Sequence, residues 1–121
     1  MPETVLILGA SENPMRYSHM ATVMLLEYGH KPVLVGKSGS EVQGLPILRA
    51  VPVDLQTVDT ITLYLNPLHQ VAIYDTVVSL RPGRVIFNPG TENPELMNKL
   101  DAAKIPYLEA CTLVMLRAGQ F

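Results

Sequence analysis

The sequence predicts an α/β fold in three layers, a five-stranded parallel sheet with helices on both faces. Three observations predict it. Short β-branched and apolar runs alternate with longer runs of helical character along the whole chain. The segments joining them are short. Two strand runs are followed by paired helix-start signals, Asn66-Pro67 and Asn93-Pro94. The 121 residues suffice for one domain, residues 1–121, and are too few for two ordinary ones. A hydrophobic fraction of 48% supports a sizeable core, and a charged fraction of 17% argues against disorder.

Thr4 to Leu8 is the first strand, an apolar run that reads as buried on both faces. The first helix is expected over about 18–28, with Ser18 as its N-cap and Gly29 as its stop. Lys31 to Val35 is the second strand, with Pro32 tolerable near its start. Gly36-Lys37-Ser38-Gly39-Ser40 is a loop, residues 41–48 read as irregular, and Val51 to Leu55 as one helical turn. Thr60 to Leu65 is the third strand. A helix from Asn66-Pro67 to about Leu80 follows, with Val71, Tyr74, Val77 and Val78 inward. Arg84 to Phe87 is the fourth strand, and the helix opened by Asn93-Pro94 runs to about Lys104. Pro106 to Glu109 is the fifth strand, and Thr112 to Ala118 a short last helix.

Ligands of such sheets bind at the carboxyl ends of the strands, where strand order reverses. The unusual loops all fall at that edge: Gly9 to Tyr17, Gly36 to Gly39, Asn66-Pro67, Asn88-Pro89-Gly90 and Ala110-Cys111. Gly9 frees the backbone for a sharp turn, and the following helix directs unpaired N–H groups at it, which favours an anion. Only Gly9 of the first turn is glycine, so the dinucleotide fingerprint is absent. The small residues Gly9, Ala10 and Ser11 still admit a phosphate, and Arg16 offers a guanidinium fork to it. The alternative is a plain turn with a solvated arginine. After the second strand, where a site for NAD has an acidic residue, stand Gly36 and Lys37. A lysine there suits a ribose phosphate, either the 3′-phosphate of coenzyme A or the 2′-phosphate of NADP; otherwise it is a surface charge.

These residues carry a resemblance. The chain resembles a CoA-binding domain, a small Rossmann-like family similar to the N-terminal domain of the succinyl-CoA synthetase alpha subunit. The matching points are Gly9-Ala10-Ser11, Asn13-Pro14, Arg16-Tyr17-Ser18, Gly36-Lys37 with Gly39, and Gly44-Leu45-Pro46. Tyr64, Asn88-Pro89-Gly90 and Glu109-Ala110-Cys111 fall in register as well, so the likeness spans nearly the whole chain. It departs at Val35, where the synthetase domain has a proline. The resemblance implies coenzyme A as the ligand. Backbone groups near Gly9, Ala10 and Ser11 would hold phosphates within the Asn13–Tyr17 loop, aided by Arg16, and Lys37 would pair with a further phosphate beside Gly36. Val33 and Val35 would flank the adenosine with Leu65 opposite, and Asn66 and Asn88 would present amides at the cleft.

A catalyst is harder to find. The synthetase phosphorylates a histidine of a second domain, and that chemistry does not carry over. His19, His30 and His69 form no site by spacing, and no metal-ligand pattern is present. Cys111 is either a packing residue or a thiol placed to meet that of coenzyme A. A net charge of −2 without a basic run gives nucleic acid no electrostatic footing. Met1-Pro2-Glu3-Thr4 lacks the basic region of a signal peptide, and the apolar run after it is too short to span a membrane. With a single cysteine, the expectation is a cytoplasmic protein. Three functions fit: a stand-alone module for coenzyme A or acyl-CoA without its own catalysis, an NADP-dependent oxidoreductase, or an interaction subunit with a vestigial cleft. A homodimer or a partner enzyme is compatible with each.

Overall fold

Strand β1 (Thr4–Leu8) runs through the middle of the sheet, with β2 (Lys31–Val35) on one side and β5 (Thr60–Leu63) on the other, both parallel to it. The computed structural model describes residues 2–121; Met1, which heads the segment before β1, lies outside them. β6 (Arg84–Phe87) and β7 (Tyr107–Glu109) extend the parallel array beyond β5. These are the predicted strands, although Thr60 to Leu65 ends early, at Leu63.

The sheet is larger than the predicted five parallel strands. It is mixed and has seven, in the order β3-β4-β2-β1-β5-β6-β7. β4 (Leu45–Leu48) pairs in parallel with β2, and β3 (Glu41–Val42) pairs antiparallel with β4. The stretch read as irregular is therefore a hairpin. Its two central residues, Gln43 and Gly44, both have positive φ, 53° and 83°. A two-residue turn joining twisted strands requires that geometry. Glutamine is not a residue that announces it, and a two-residue strand carries no periodicity.

Successive side chains of β1 enter different layers, as the pleat demands. Val5 and Ile7 pack with Leu25 of α1 (Tyr17–Glu27) and Leu116 of α5 (Thr112–Arg117). Leu6 and Leu8 pack with Val77 of α3 (Tyr74–Leu80) and with Leu96 and Leu100 of α4 (Pro94–Ala103). Both faces of β1 are thus sealed, which is why it reads as a continuous apolar run.

The Asn caps form as predicted. Asn66 Oδ1 accepts the N–H of His69 at 3.1 Å, and Asn93 Oδ1 accepts those of Glu95 and Leu96. The expected Ser18 cap does not. Helix α1 begins one residue earlier, Arg16 takes the cap position without a side-chain bond, and Ser18 is buried in the first turn. The helix expected over 67–80 is broken into α2 (Pro67–Gln70), a 3-10 turn at Val71–Ile73, and α3. Buried Gln70 is held by bonds from outside the helix (below), and the break leaves Val71 exposed rather than inward. Residues 51–55 form a tight turn closed from Leu55 N–H to Pro52 C=O, not a helical turn. Among the described residues no helix is long and apolar enough to cross a membrane.

Candidate functional site

Reading outward from β1, the chain first adds β2 and β4 on one side and then returns to add β5, β6 and β7 on the other. The order therefore reverses between β1 and β5, and the crevice beyond their carboxyl ends is where a parallel sheet takes a ligand. Two loops border it, Gly9–Arg16 after β1 and Gly36–Ser40 after β2, and they are stitched together. The Val35 carbonyl accepts both the Gly9 and Ala10 N–H groups, at 3.0 and 2.9 Å. Glu12 accepts the Ser40 N–H at 2.9 Å. Arg49 clamps the second loop from behind, donating to the carbonyls of Ile47 and Gly39. Gly36 packs so closely on the first loop that a Cβ would meet the Ala10 carbonyl oxygen at 2.4 Å.

This arrangement refines the expected phosphate cradle. The Gly9 and Ala10 N–H groups are committed to Val35, so any backbone donors left free lie further along the loop. Gly9 has φ +97 and packs on the Tyr64 main chain, where a Cβ would come within 3.0 Å. Ser11 Oγ accepts the Asn13 N–H, Asn13 Oδ1 accepts the Met15 N–H, and the Asn13 carbonyl accepts the Arg16 N–H. His19 Nδ1 lies 3.1 Å from the Ser11 carbonyl and ties the helix back to the loop. Serine and asparagine here shape successive turns. The outcome is an α1 whose first N–H groups have no side-chain cap, with Arg16 at its threshold. Arg16, Tyr17 and Lys37 are exposed. The ion pair of the described residues, Glu3 with Arg84 at 3.6 Å, lies at the opposite edge of the sheet.

Val33 and Val35 on β2 and Leu65 after β5 are half-buried and pack on the same layer, the one that holds α3 and α4. The structure therefore places these three predicted residues on one face. Asn66 is exposed at the rim, with its carbonyl oxygen capping α2. Asn88 is different. It is buried, its Nδ2 donates to Thr62 Oγ1 and the Leu63 carbonyl, and its Oδ1 accepts the Thr112 N–H. Its amide joins β5, β6 and α5, and is not free for a ligand.

A second buried polar network fixes the crevice wall beyond β5. Gln70 Nε2 donates to the carbonyls of Leu65 and Thr91, each at 2.8 Å. Asn93 Nδ2 donates to Gln70 Oε1 and to the Tyr74 hydroxyl. Gln70 and Arg49 were not singled out from the sequence. A glutamine in a helix and an arginine after a strand carry no local signal, because the partners that tie them to other segments, Thr91 for Gln70 and Gly39 for Arg49, lie 21 and 10 residues away.

On the face of α1 and α5, the same edge holds a cavity of about 350 Å3. Tyr17, Tyr64, half-buried Cys111, and Leu113, Val114 and Arg117 of α5 line it. The buried Tyr64 hydroxyl has no hydrogen-bond partner. The nearby Thr62 and Thr112 hydroxyls are committed to each other at 2.8 Å, and Thr62 also accepts from Asn88. Burial raises the Tyr64 phenol above its ordinary pKa, more than the neighbouring threonines lower it. An orphaned buried hydroxyl costs about 1–3 kcal/mol. Tyr64→Phe is therefore expected to raise stability in urea unfolding by about 1 kcal/mol; a loss of that size would mean that the hydroxyl is bonded in solution.

The sequence profile of the CoA binding domain matches residues 3–117. The chain belongs to the CoA binding domain family. Solved structures agree with this α/β architecture. An uncharacterized protein is 45% identical over 100% of this chain and 99% of its own, with a TM-score of 0.96. A Thermus thermophilus protein, cell-free ID.343, is 26% identical over 99% of this chain and 91% of its own, with a TM-score of 0.87. A conserved hypothetical protein from Pyrococcus furiosus is 27% identical over 94% and 98%, with a TM-score of 0.78. No curated protein matches the chain. In this CoA binding domain, the loops that border the crevice are those that carried the resemblance in the sequence.

Proposed function

We propose that the protein is a stand-alone module that binds coenzyme A or an acyl-CoA at the carboxyl edge of its sheet, without catalysis of its own. The observation that carries this reading is the joined pair of loops. An uncapped α1 with Arg16 at its start follows the first loop and an exposed Lys37 lies in the second, and the loops are held through Gly36, Glu12 and Arg49. In this reading the N–H groups at the start of α1, the Ser11 hydroxyl and Arg16 take the pyrophosphate. Lys37 takes the ribose 3′-phosphate. Val33, Val35 and Leu65 enclose the adenosine, Asn66 meets it at the rim, and Asn13 and Asn88 shape the loops without touching it. Family membership supports coenzyme A over NADP.

Thermal unfolding with coenzyme A, dephospho-CoA, NADP and NAD in parallel tests it. A ligand at one hundred times its dissociation constant adds about 2.7 kcal/mol to native stability, or roughly 10 °C for a domain of this size. Coenzyme A is expected to give that shift, and dephospho-CoA a smaller one. The Arg16→Ala, Lys37→Ala double variant is expected to weaken coenzyme A about 10- to 100-fold, as for the loss of two charge-assisted contacts at a solvated edge. Absence of a shift with coenzyme A would overturn the reading. An equal or larger shift with NADP would transfer the site to a 2′-phosphate.

A further inference from the structure

In the reading above, the cavity beside Tyr64 is assigned neither the phosphates nor the adenosine. At about 350 Å3 it falls within the range of small-ligand sites. Much of its wall is carbon from Tyr17, Tyr64, Pro89, Leu113 and Val114. Tyr17 and Val114 belong to different helices, border the same opening, and are left 69% and 59% exposed. The strand order gives the cavity a direction. Lys37 follows β2, the Gly9 turn follows β1, and the cavity residues Tyr64, Asn88 and Cys111 follow β5, β6 and β7. A linear ligand whose adenosine lies against Val33, Val35 and Leu65 on the α3 and α4 face, and whose pyrophosphate lies at the start of α1, has its free end toward the α1 and α5 face, where the cavity opens. The two regions touch, because Tyr17 adjoins Arg16 and the Tyr64 main chain packs on Gly9.

We propose that this cavity receives the acyl group of an acyl thioester of coenzyme A, a short saturated chain packed against Tyr17 and Val114. The inference rests on the coenzyme A reading above. Burial of each added methylene in a carbon-lined site tightens binding about fourfold until the site is full. Calorimetric titration with free coenzyme A and its acetyl, butanoyl and hexanoyl thioesters tests it, on the wild-type protein and on Val114→Asp. Wild type is expected to bind the butanoyl thioester about 16-fold more tightly than the acetyl, two methylenes apart. Val114→Asp places a carboxylate at the mouth of the cavity and is expected to flatten the series to within about twofold. A melting curve verifies that this exposed substitution leaves the protein folded. Coenzyme A binding with no chain-length dependence in wild type would overturn the acyl site alone. So would a slope that survives in Val114→Asp. Failure of free coenzyme A and every thioester to bind would overturn both readings.

Discussion

Gly36→Ala is expected to lower stability by about 2–4 kcal/mol and to weaken coenzyme A by an order of magnitude or more. The cause is space rather than backbone conformation. A methyl group at this position would lie 2.4 Å from the Ala10 carbonyl oxygen and 3.1 Å from Ile47 Cγ2. The obstacle is main chain, which cannot swing aside as a side chain would. Gly36 is also pinned from the other side, where its N–H donates to the Leu48 carbonyl at 2.9 Å. Relief requires the two loops to part, and that breaks the paired bonds from Gly9 and Ala10 to Val35. Lys37 is displaced in the same movement, so stability and affinity fall together. Gly29→Ala supplies the contrast. Gly29 has φ +84 and open space around it, so only the strain of a left-handed alanine, about 1 kcal/mol, is expected. Urea unfolding of the two variants distinguishes the causes. Equal losses would show that crowding at Gly36 is absent and that the loops are not locked as described.

Asn88→Ala is expected to cost about 3 kcal/mol. The substitution leaves the Thr112 N–H and the Leu63 carbonyl without their partners and removes a donor from Thr62. Each orphaned buried group costs about 1–3 kcal/mol, offset in part where water enters the space left behind. Asn88→Asp is expected to be at least as damaging despite its shape. A carboxylate can still accept from Thr112, but it offers no donor and sets a negative charge against the Leu63 carbonyl. Chemical denaturation compares them. If Asn88→Asp were as stable as wild type, the amide would not be serving as a donor, and Asn88 would again be available to a ligand.

How much of this was legible in the sequence depends on the range of each interaction. The five main strands, the Asn66 and Asn93 caps and the glycine stop after α1 follow from neighbouring residues, and they were readable. The hairpin of β3 and β4 was not, because Gln43 adopts a left-handed conformation that glutamine does not advertise. Nor was the break in the helix after Pro67, where buried Gln70 bonds to Leu65 and Thr91. The candidate site divides in the same way. Gly9, Arg16, Gly36 and Lys37 were legible as residue types suited to a phosphate at a strand end. The sequence could not show that the Gly9 and Ala10 N–H groups are taken by Val35, or that the Asn88 amide faces inward.

The sequence by itself determined the alternation of strand and helix, the edge at which a ligand would lie, and the chemistry available there. Those are properties of runs and turns a few residues long. Only the tertiary structure decided how the edge is built. It determined which donors remain free and which loops lock together. It also brought Tyr17, Tyr64 and Val114 around one cavity. The physical reason is that a hydrogen-bonding group or an apolar side chain has no fixed role until a partner distant in the chain satisfies it or leaves it exposed.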